Sequence, residues 1–322
     1  MKDFSELQTL INNEINKISL PKNPSSLYDP IRYILSLRAK RMRSIALLTT
    51  FQLYNHDLNR AINAALAIEL FHNFTLIHDD IMDKALIRRG SETVHEKWNE
   101  NTAILSGDTM LVKSYSLFLN LDSSNKNYVL DIFSKTAMMV CEGQQMDMDY
   151  ENMNNPGIDQ YLEMIKLKTS VLLAASFQIG ALIGGASKTD ALLLYEFGIN
   201  LGIAFQIQDD LLDLYGNKNK FGKNVGGDVI ANKKTFLYLK SLSLANSTQR
   251  ENLLNYYIND SLSSDEKIRN VRFIFDELNI YDITKDLISS YHDKAISCLN
   301  SIVIEKDESL NYFASLLLKR EV

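Results

Sequence analysis

Two groups of aspartates in this sequence have a spacing that suits a metal ion. Each group has the pattern D-D-x-x-D, and the six residues are Asp79, Asp80, Asp83, Asp209, Asp210 and Asp213. On a helix, the first and last aspartate of each group lie one turn apart, where like charges repel each other. A hard divalent cation bound by carboxylate oxygens would offset that repulsion. One such group alone is typical of a solvated acidic helix end, and the repetition is what favours a functional site.

Long apolar segments precede both groups and must position them. Apolar residues recur at helical spacing from Ala61 to Thr75, and a similar segment runs from Ala191 to Leu214. The pattern predicts two long helices that each end in an aspartate group. Antiparallel packing of such helices would place both groups at the mouth of one cavity. Magnesium prefers a few carboxylates together with substrate phosphates, so the arrangement suggests a diphosphate bridged by Mg²⁺.

Short basic groups accompany the aspartates along the chain. They include Lys40, Arg41, Arg43, Arg88, Arg89, Lys168, Lys223, Lys233 and Lys234. Each one alone is typical of ordinary surface charge. Together, in a chain whose formal net charge is -6, they supply the charged donors that two diphosphates would need. The basic, glycine-rich segment 216–227 is predicted to be a loop near an anionic ligand, where it would act as a lid.

Composition predicts an all-α fold in a single domain spanning residues 1–322. Only 4 prolines occur, and none lies between residues 31 and 155, so little interrupts a succession of long helices. The acidic balance argues against nucleic-acid binding. The 2 cysteines have no metal-ligand spacing, and the N-terminus lacks the apolar core of a signal peptide, which together predict a cytoplasmic protein.

One uncharged segment, from Thr169 to Ser187, is nearly long enough to span a membrane. Its polar residues and the pair Gly184-Gly185 favour the alternative, a buried helix that ends in a glycine turn. We therefore expect no transmembrane segment.

Seven motifs, in order, carry a resemblance to a known family. They are AKRMRS at 39–44, ELFHNFTLIHDDIMDKALIRRG at 69–90, SGD at 106–108, EGQQMDM at 142–148, KTS at 168–170, FQIQDDLLDLYGNKNKFGKNVGGD at 205–228 and NKKT at 232–235. By these motifs the chain resembles the trans-isoprenyl diphosphate synthases of the polyprenyl synthetase family. The resemblance implies one large helical bundle around a deep central cavity, a homodimer, and Mg²⁺ as cofactor.

The resemblance also implies an activity and its residues. The expected reaction condenses isopentenyl diphosphate head to tail with an allylic diphosphate (dimethylallyl, geranyl or farnesyl) through an allylic carbocation.

The resemblance assigns roles to particular residues. Mg²⁺ would be coordinated by Asp79, Asp83 and Asp209, supported by Asp80, Asp210 and Asp213. The allylic diphosphate would be held by Arg88, Lys168 and Lys223, with Lys233 close by. Isopentenyl diphosphate would be held by Lys40, Arg43, His72 and Arg89. Thr169 and Gln206 would contact the reacting allylic group.

His72 also has an argument from spacing. A lone histidine on an apolar helix face is usually a core residue, but His72 precedes Asp79 by seven residues, two helical turns away on the same face. That position favours a role near the second diphosphate.

Product length is predicted from the residues that precede Asp79. The growing tail would run toward the N-terminal end of this helix, so Phe71, Phe74 and Thr75 are candidates for the floor of the cavity. In the family, a bulky aromatic five positions before the first aspartate goes with short products. We therefore expect geranylgeranyl diphosphate as main product and farnesyl diphosphate next. The alternative is that both rings belong to an ordinary core.

The sequence departs from the family pattern at two places around the basic motif. Arg38-Ala39 and Ser44 stand where the family usually has two glycines and a proline around the basic motif, which leaves open how tightly isopentenyl diphosphate binds.

Two alternative functions share part of this pattern. A class I terpene cyclase would share the fold, but its second metal motif normally carries Asn, Ser or Thr and Glu. A regulatory subunit of a heteromeric synthase would have lost an aspartate group, whereas both are intact here.

Overall fold

The protein is helical in the computed structural model, which describes residues 1–153, 156–216, 226–258, 262–302 and 308–319. The helices in the first half are α1 (Phe4–Asn16), α2 (Ser25–Ser36), α3 (Met42–Gln52), α4 (Asn59–Met82), α5 (Val94–Lys97), α6 (Glu100–Leu119), α7 (Lys126–Asn152) and α8 (Ile158–Ile165). They are followed by α9 (Val171–Gly184), α10 (Lys188–Tyr215), α11 (Gly227–Ile230), α12 (Phe236–Leu244), α13 (Ser247–Ile258), α14 (Ser264–Glu277), α15 (Ile280–Asn300) and α16 (Ser309–Leu318). The predicted all-α class is confirmed.

One small hairpin interrupts the helices of the first half. Strands β1 (Ile87–Arg88) and β2 (Ser91–Glu92) pair antiparallel, and the two residues between them, Arg89 and Gly90, have φ angles of 54° and 76°. Two consecutive positive φ angles are the signature of a type I′ turn, which matches the twist of a hairpin. Glycine adopts that backbone without cost, whereas an arginine does so only when its surroundings hold it there.

By its internal contacts the chain forms two compact units. Unit 1 comprises 1–137, 172–195 and 302–313, and unit 2 comprises 138–171, 196–301 and 314–322. The predicted single domain around a central cavity is not tested by this division and stays a prediction.

In unit 1, α4 packs along α3 and α6, and α1 packs against α3 and α4. Helix α4 is apolar on nearly all sides, and most of its residues are buried. At a rise of ~1.5 Å per residue its 24 residues span roughly 36 Å. A helix with this burial is stabilised by packing and can end in charged groups at the surface of the core.

In unit 2, α12 packs against α8, α14 and α15, and α14 packs against α11, α13 and α15. Between α8 and α9, residues 166–170 form one turn of π-helix. Such single-turn π segments widen a helix locally and often lie at functional sites. This one carries Lys168 and Thr169, two of the predicted site residues.

Two helical stretches, Ile158–Gly184 and Lys188–Tyr215, are long and apolar enough to cross a membrane by length and composition. In their most apolar windows, 83% and 56% of the residues are buried inside the protein. Core helices of large helical proteins have the same composition. The burial supports the predicted buried helix at 169–187, where α9 runs to Gly184 and Gly185 follows with φ 107°.

Candidate active site

The first aspartate group lies at the end of α4, as predicted. Asp79 and Asp80 occupy the last turn of the helix, and Asp83 caps it. The C-terminal end of a helix carries partial negative charge, so carboxylates there need compensation. Asp80 is 1% exposed, which raises that need further.

Arg88 on β1 supplies the compensation for Asp80. Its Nε and Nη2 atoms lie 2.8 and 2.5 Å from Asp80 Oδ1, and Nη2 lies 3.6 Å from Asp79 Oδ2. Burial raises the pKa of Asp80, and the Arg88 guanidinium opposes that rise. Burial alone would lower the pKa of Arg88, but the hydrogen bond and charge of Asp80 outweigh it and raise the pKa. The predicted diphosphate ligand Arg88 thus has an aspartate partner in this structure.

The second oxygen of Asp80 tests whether this group fits a metal ion. Asp80 Oδ2 is buried and accepts no hydrogen bond from the residues that the structure describes. A buried carboxylate oxygen without a donor costs free energy, and a cation or a cation-bound water would satisfy it. Among the described residues, no group of three or more His, Cys, Asp or Glu side chains lies close enough together to hold a metal ion by itself. The Asp80 oxygen without a donor fits a divalent cation only if water and phosphate oxygens supply further ligands.

His72 and Arg43 form a polar pair near the same end of unit 1. Arg43 Nη1 lies 3.1 Å from His72 Nε2. Burial and the nearby cations Arg43 and Arg89 hold the pKa of His72 well below its ordinary value, so the ring is neutral and accepts this hydrogen bond. Burial also lowers the pKa of Arg43 to about 10. Arg43 Nε is buried and has no acceptor among the described residues, which leaves one donor of a cation for an anionic ligand.

The neighbouring residues of the basic motif differ in burial. Lys40 and Arg38 are exposed and line a cavity of about 630 Å³ beside α1. Arg41 is 4% exposed and pairs with the buried carboxylate of Glu69 at 2.8 Å. Ser44, which departs from the family pattern, donates to the other Glu69 oxygen at 2.7 Å. Arg41 and Ser44 therefore anchor the motif.

Arg89, at the tip of the hairpin, is held by an amide. Its Nη1 atom donates to Asn73 Oδ1 at 3.2 Å. Burial lowers the pKa of Arg89 to about 10, and the Glu69 carboxylate opposes that shift.

The three candidate floor residues differ in their surroundings. Phe71 is 1% exposed and packs edge-on against Phe133 at a ring separation of 5.2 Å. Phe74 is 8% exposed and packs against the rings of Phe71 and His78 at 5.6 and 4.7 Å. The Thr75 hydroxyl donates to the His72 carbonyl. Phe71 belongs to an aromatic core, whereas Phe74 lies at its edge.

The second aspartate group lies near the end of α10, in unit 2. Asp210 is buried and accepts hydrogen bonds from the Tyr161 hydroxyl and, at 3.0 Å, from Gln206 Nε2. Burial and the nearby Asp228 raise the pKa of Asp210 well above its ordinary value. Burial and Asp210 together raise the pKa of Tyr161 well above its ordinary value, which keeps that hydroxyl a donor. Asp213 Oδ2 accepts from the backbone N–H of Asp228 at 2.9 Å.

The π segment brings Lys168 and Thr169 to the same region. Lys168 Nζ pairs with Asp147 Oδ2 at 2.6 Å. The Thr169 hydroxyl donates to Gln206 Oε1 at 3.1 Å, which continues the polar chain to Asp210. Gly143 makes the approach of α7 possible, because a Cβ there would collide with the Lys168 backbone.

A cavity of about 200 Å³ in unit 2 collects these side chains. Its lining includes Lys168, Thr169, Gln206, Asp209, Asp210, Asp213 and Lys233. Asp147, Tyr161, Asp228 and Lys234 line it too. Lys234 Nζ also binds the carbonyl oxygens of Tyr150 and Glu151 at 2.9 and 3.0 Å, so it holds the end of α7. Lys223 and the centre of the predicted lid, 217–225, lie outside the described residues.

Sequence reasoning missed several residues that contact the predicted ones. They are Glu69, Asn73, Asp147, Tyr161 and Asp228. Asp147 lies in the EGQQMDM motif at 142–148, and its place in a family motif is the signal that could have identified it. Tyr161 and Asp210 are 49 positions apart in the chain, and no local sequence pattern predicts their contact.

Comparison with known proteins supports the resemblance. The chain is 36% identical over 324 residues to the geranylgeranyl diphosphate synthase of Sulfolobus acidocaldarius, covering 98% of this chain and 97% of that protein. It is 36% identical over 254 residues to the geranylfarnesyl diphosphate synthase of Natronomonas pharaonis, covering 73% and 74% of the two chains. A crystal structure of a geranylgeranyl pyrophosphate synthase matches with a TM-score of 0.94 and 41% identity over 100% of both chains.

The polyprenyl synthetase family model matches residues 24–274, which include both aspartate groups, the basic motif, the hairpin and the π segment. The chain therefore belongs to the polyprenyl synthetase family.

Proposed function

We propose that this protein is a Mg²⁺-dependent trans-prenyltransferase that joins isopentenyl diphosphate to dimethylallyl, geranyl and farnesyl diphosphates. Geranylgeranyl diphosphate is the main product and farnesyl diphosphate the next. The observation that carries the proposal is that each aspartate group is accompanied by cationic side chains, Arg88 in unit 1 and Lys168 in unit 2. Family membership and the relatives at 36% identity support the same activity.

The proposed metal ligands are Asp79, Asp83 and Asp209, with Asp80, Asp210 and Asp213 in support. When bound, Mg²⁺ supplies positive charge to the oxygens of the allylic diphosphate. This set of ligands presupposes the single domain predicted for 1–322.

The two cations with aspartate partners would exchange them for substrate. Arg88, now on Asp80, and Lys168, now on Asp147, would bind the allylic diphosphate, with Lys223 and Lys233 nearby. These charge-assisted donors stabilise the charge that builds on the departing diphosphate as the allylic C–O bond ionises. Thr169 and Gln206 would contact the allylic group and orient it.

Isopentenyl diphosphate would be held by Lys40, Arg43, His72 and Arg89. Its double bond attacks the allylic carbocation, and a proton is then lost from the new carbon chain. His72 is poorly suited as the base for that proton, because it accepts from Arg43 and its pKa is held well below the ordinary value. The released pyrophosphate is the proposed acceptor.

The proposal includes a homodimer and a cytoplasmic location, which follow the family resemblance and the composition. Gel filtration with light scattering would test the first.

A single assay tests the activity. Pyrophosphate release is followed with isopentenyl diphosphate plus each allylic diphosphate, with and without Mg²⁺, and the products are identified by mass spectrometry. Metal-dependent release and a C20 product are expected. Release from an allylic diphosphate without isopentenyl diphosphate, with a cyclic hydrocarbon as product, would contradict the proposal.

A further inference from the structure

A buried carboxylate in unit 1, Glu69, organises the segments that carry the predicted isopentenyl diphosphate ligands. It is 1% exposed and lies on α4, three residues before His72. Arg41 donates to Oε1 and Ser44 to Oε2, and both belong to the basic motif. Burial alone would raise the pKa of Glu69, but Arg41 and the hydrogen bonds it receives outweigh burial and lower it, so the group is ionised. A buried, ionised carboxylate with several donors is a fixed point of the structure.

Asn73, one helical turn beyond Glu69, connects this fixed point to the hairpin. Its Nδ2 atom donates to the Glu69 carbonyl at 2.8 Å and lies 3.1 Å from Glu69 Oε1. Its Oδ1 atom accepts from Arg89 Nη1 at 3.2 Å. The amide orientation follows from these partners, since a flipped amide would turn N–H groups toward a guanidinium and an oxygen toward a carboxylate.

Arg89 needs such a tether more than most arginines do. It lies at the tip of a two-residue turn with φ 54°, a conformation that arginine rarely adopts. An untethered arginine also has rotamer entropy, which it loses when it binds a ligand. A side chain already held by Asn73 loses less on binding.

We propose that Asn73 is a positioning residue for isopentenyl diphosphate: it connects the buried Glu69 to Arg89 and holds that guanidinium in place for the diphosphate. Asn73 is 0% exposed and acts through Arg89, without touching substrate. Consecutive residues on α4 would then have parallel roles, because His72 contacts Arg43 and Asn73 contacts Arg89. The inference rests on the proposed function.

The variant Asn73→Ser is designed to keep the hydrogen bond to the Glu69 carbonyl and to remove the one to Arg89. A serine in a helix can bond back to the carbonyl four residues earlier, here that of Glu69, but its hydroxyl is too short to reach Arg89. We expect the KM for isopentenyl diphosphate to rise about fivefold, the size of one ordinary net hydrogen bond, because Arg89 loses its tether but keeps its charge. The KM for farnesyl diphosphate and kcat at saturation should stay within about twofold, because Arg88 and the aspartates are untouched.

A double-mutant cycle with Arg89→Ala distinguishes positioning from a general structural role. If Asn73 acts through Arg89, Asn73→Ser adds no further change in KM to the Arg89→Ala enzyme. Ser114→Ala is the matched control, since it also removes a buried hydrogen bond to α4, from the Ser114 hydroxyl to the Ala67 carbonyl at 2.8 Å. It should leave both KM values unchanged.

Two results would overturn the inference alone: a KM for isopentenyl diphosphate that does not change in Asn73→Ser, or a rise that persists in the Arg89→Ala background. KM does not depend on the fraction of folded enzyme, so partial unfolding does not obscure either result. If Asn73→Ser yields no folded protein, Asn73→Thr keeps the same back-bond and replaces it in the cycle. A wild-type enzyme that does not consume isopentenyl diphosphate would overturn the proposed function and the inference together.

Discussion

The two aspartate groups share one sequence pattern but have different electrostatic surroundings. In unit 1 the middle aspartate, Asp80, is bound by a cation, Arg88. In unit 2 the middle aspartate, Asp210, is bound by two neutral donors, the Tyr161 hydroxyl and the Gln206 amide. The cation of unit 2, Lys168, is instead bound by Asp147, from α7.

This difference shows that residues at the same position of the two D-D-x-x-D patterns can have different partners. Both middle aspartates are buried and accept hydrogen bonds from other side chains, which suits a supporting role, although Asp80 Oδ2 has no donor among the described residues. An ionised pair such as Asp80 with Arg88 depends on charge on both sides, whereas Asp210 depends on hydrogen-bond geometry. Asp79, Asp83 and Asp209, which are first or third in their groups, are the ones proposed to bind the metal.

The largest expected effect tests the outer aspartates of both units. Asp79→Ala and Asp209→Ala should each lower kcat by at least ~10³-fold, because each removes a ligand to the metal that stabilises charge in the transition state. Steady-state assays at saturating Mg²⁺ measure the loss, and circular dichroism checks the fold. Asp131→Ala, which removes an exposed carboxylate on α7, is the control and should retain full activity. Near-normal turnover in either active-site variant would refute the equivalence of the two groups.

The next largest expected effect is that the adjacent hairpin arginines, Arg88 and Arg89, change the KM of different substrates. Arg89→Ala should raise the KM for isopentenyl diphosphate by ~10- to 100-fold, and Arg88→Ala should do so for the allylic substrate, because each removes a charge-assisted contact. Initial rates with each substrate varied in turn give both values. Equal effects on both substrates would contradict the assignment. Arg32→Ala, an exposed arginine on α2, serves as the control.

Much of this arrangement could be predicted from the sequence because its signals are local. Long apolar runs place Asp79 and Asp209 near helix ends, and both helices have that form. Local sequence patterns do not predict contacts between residues that are far apart in the chain, nor which of two nearby residues is buried. Arg41 and Arg43 look alike in the sequence, yet Arg41 is a buried anchor and Arg43 keeps an unsatisfied Nε.

The π segment at 166–170 escaped prediction for a related reason. It lies where Gly143 closely approaches the Lys168 backbone, a contact between distant parts of the chain, and no local residue pattern specifies it.

A stability measurement compares the middle aspartates directly. Asp80→Asn leaves the partly buried Arg88 without its counter-ion and should lower the free energy of unfolding by about 2 kcal/mol. Asp210→Asn keeps a carbonyl oxygen for a neutral donor and should cost about 1 kcal/mol or less. Urea unfolding of the metal-free proteins measures both. Equal costs would show that the Arg88 charge adds nothing to Asp80 that neutral donors do not give Asp210.

A pH-dependent effect of similar size is expected from His72 in unit 1. The pKa of His72 is held well below its ordinary value by burial and by Arg43, so the unfolded chain takes up a proton in a pH range where the folded chain does not. Stability therefore falls as pH falls below ~6.5, by up to about 2 kcal/mol between pH 7 and pH 5. His72→Gln should flatten this part of the profile, measured by urea unfolding at several pH values. A variant profile as steep as the wild-type profile would assign the acid sensitivity to other groups.

The smallest effect on turnover, and the most specific one, concerns the helix segments that precede the two groups. Five residues before Asp79 the chain has Phe74, and five residues before Asp209 it has the buried Ala204, so only α4 offers a ring as a floor at this position. Phe74 lies ~7 Å along the helix axis from Asp79, and Phe71 ~12 Å. Phe71 is fixed in the aromatic core by Phe133, whereas Phe74 lies at the edge of that core.

Phe74→Ala should therefore lengthen the main product by at least one isoprene unit while turnover continues. Phe71→Ala removes a core ring and should destabilise the fold by roughly 3–5 kcal/mol, with less change in chain length. Mass spectrometry of products from both variants, at matched substrate ratios, gives the distributions. If Phe74→Ala makes the wild-type distribution, Phe74 is an ordinary core aromatic and the floor of the cavity lies elsewhere.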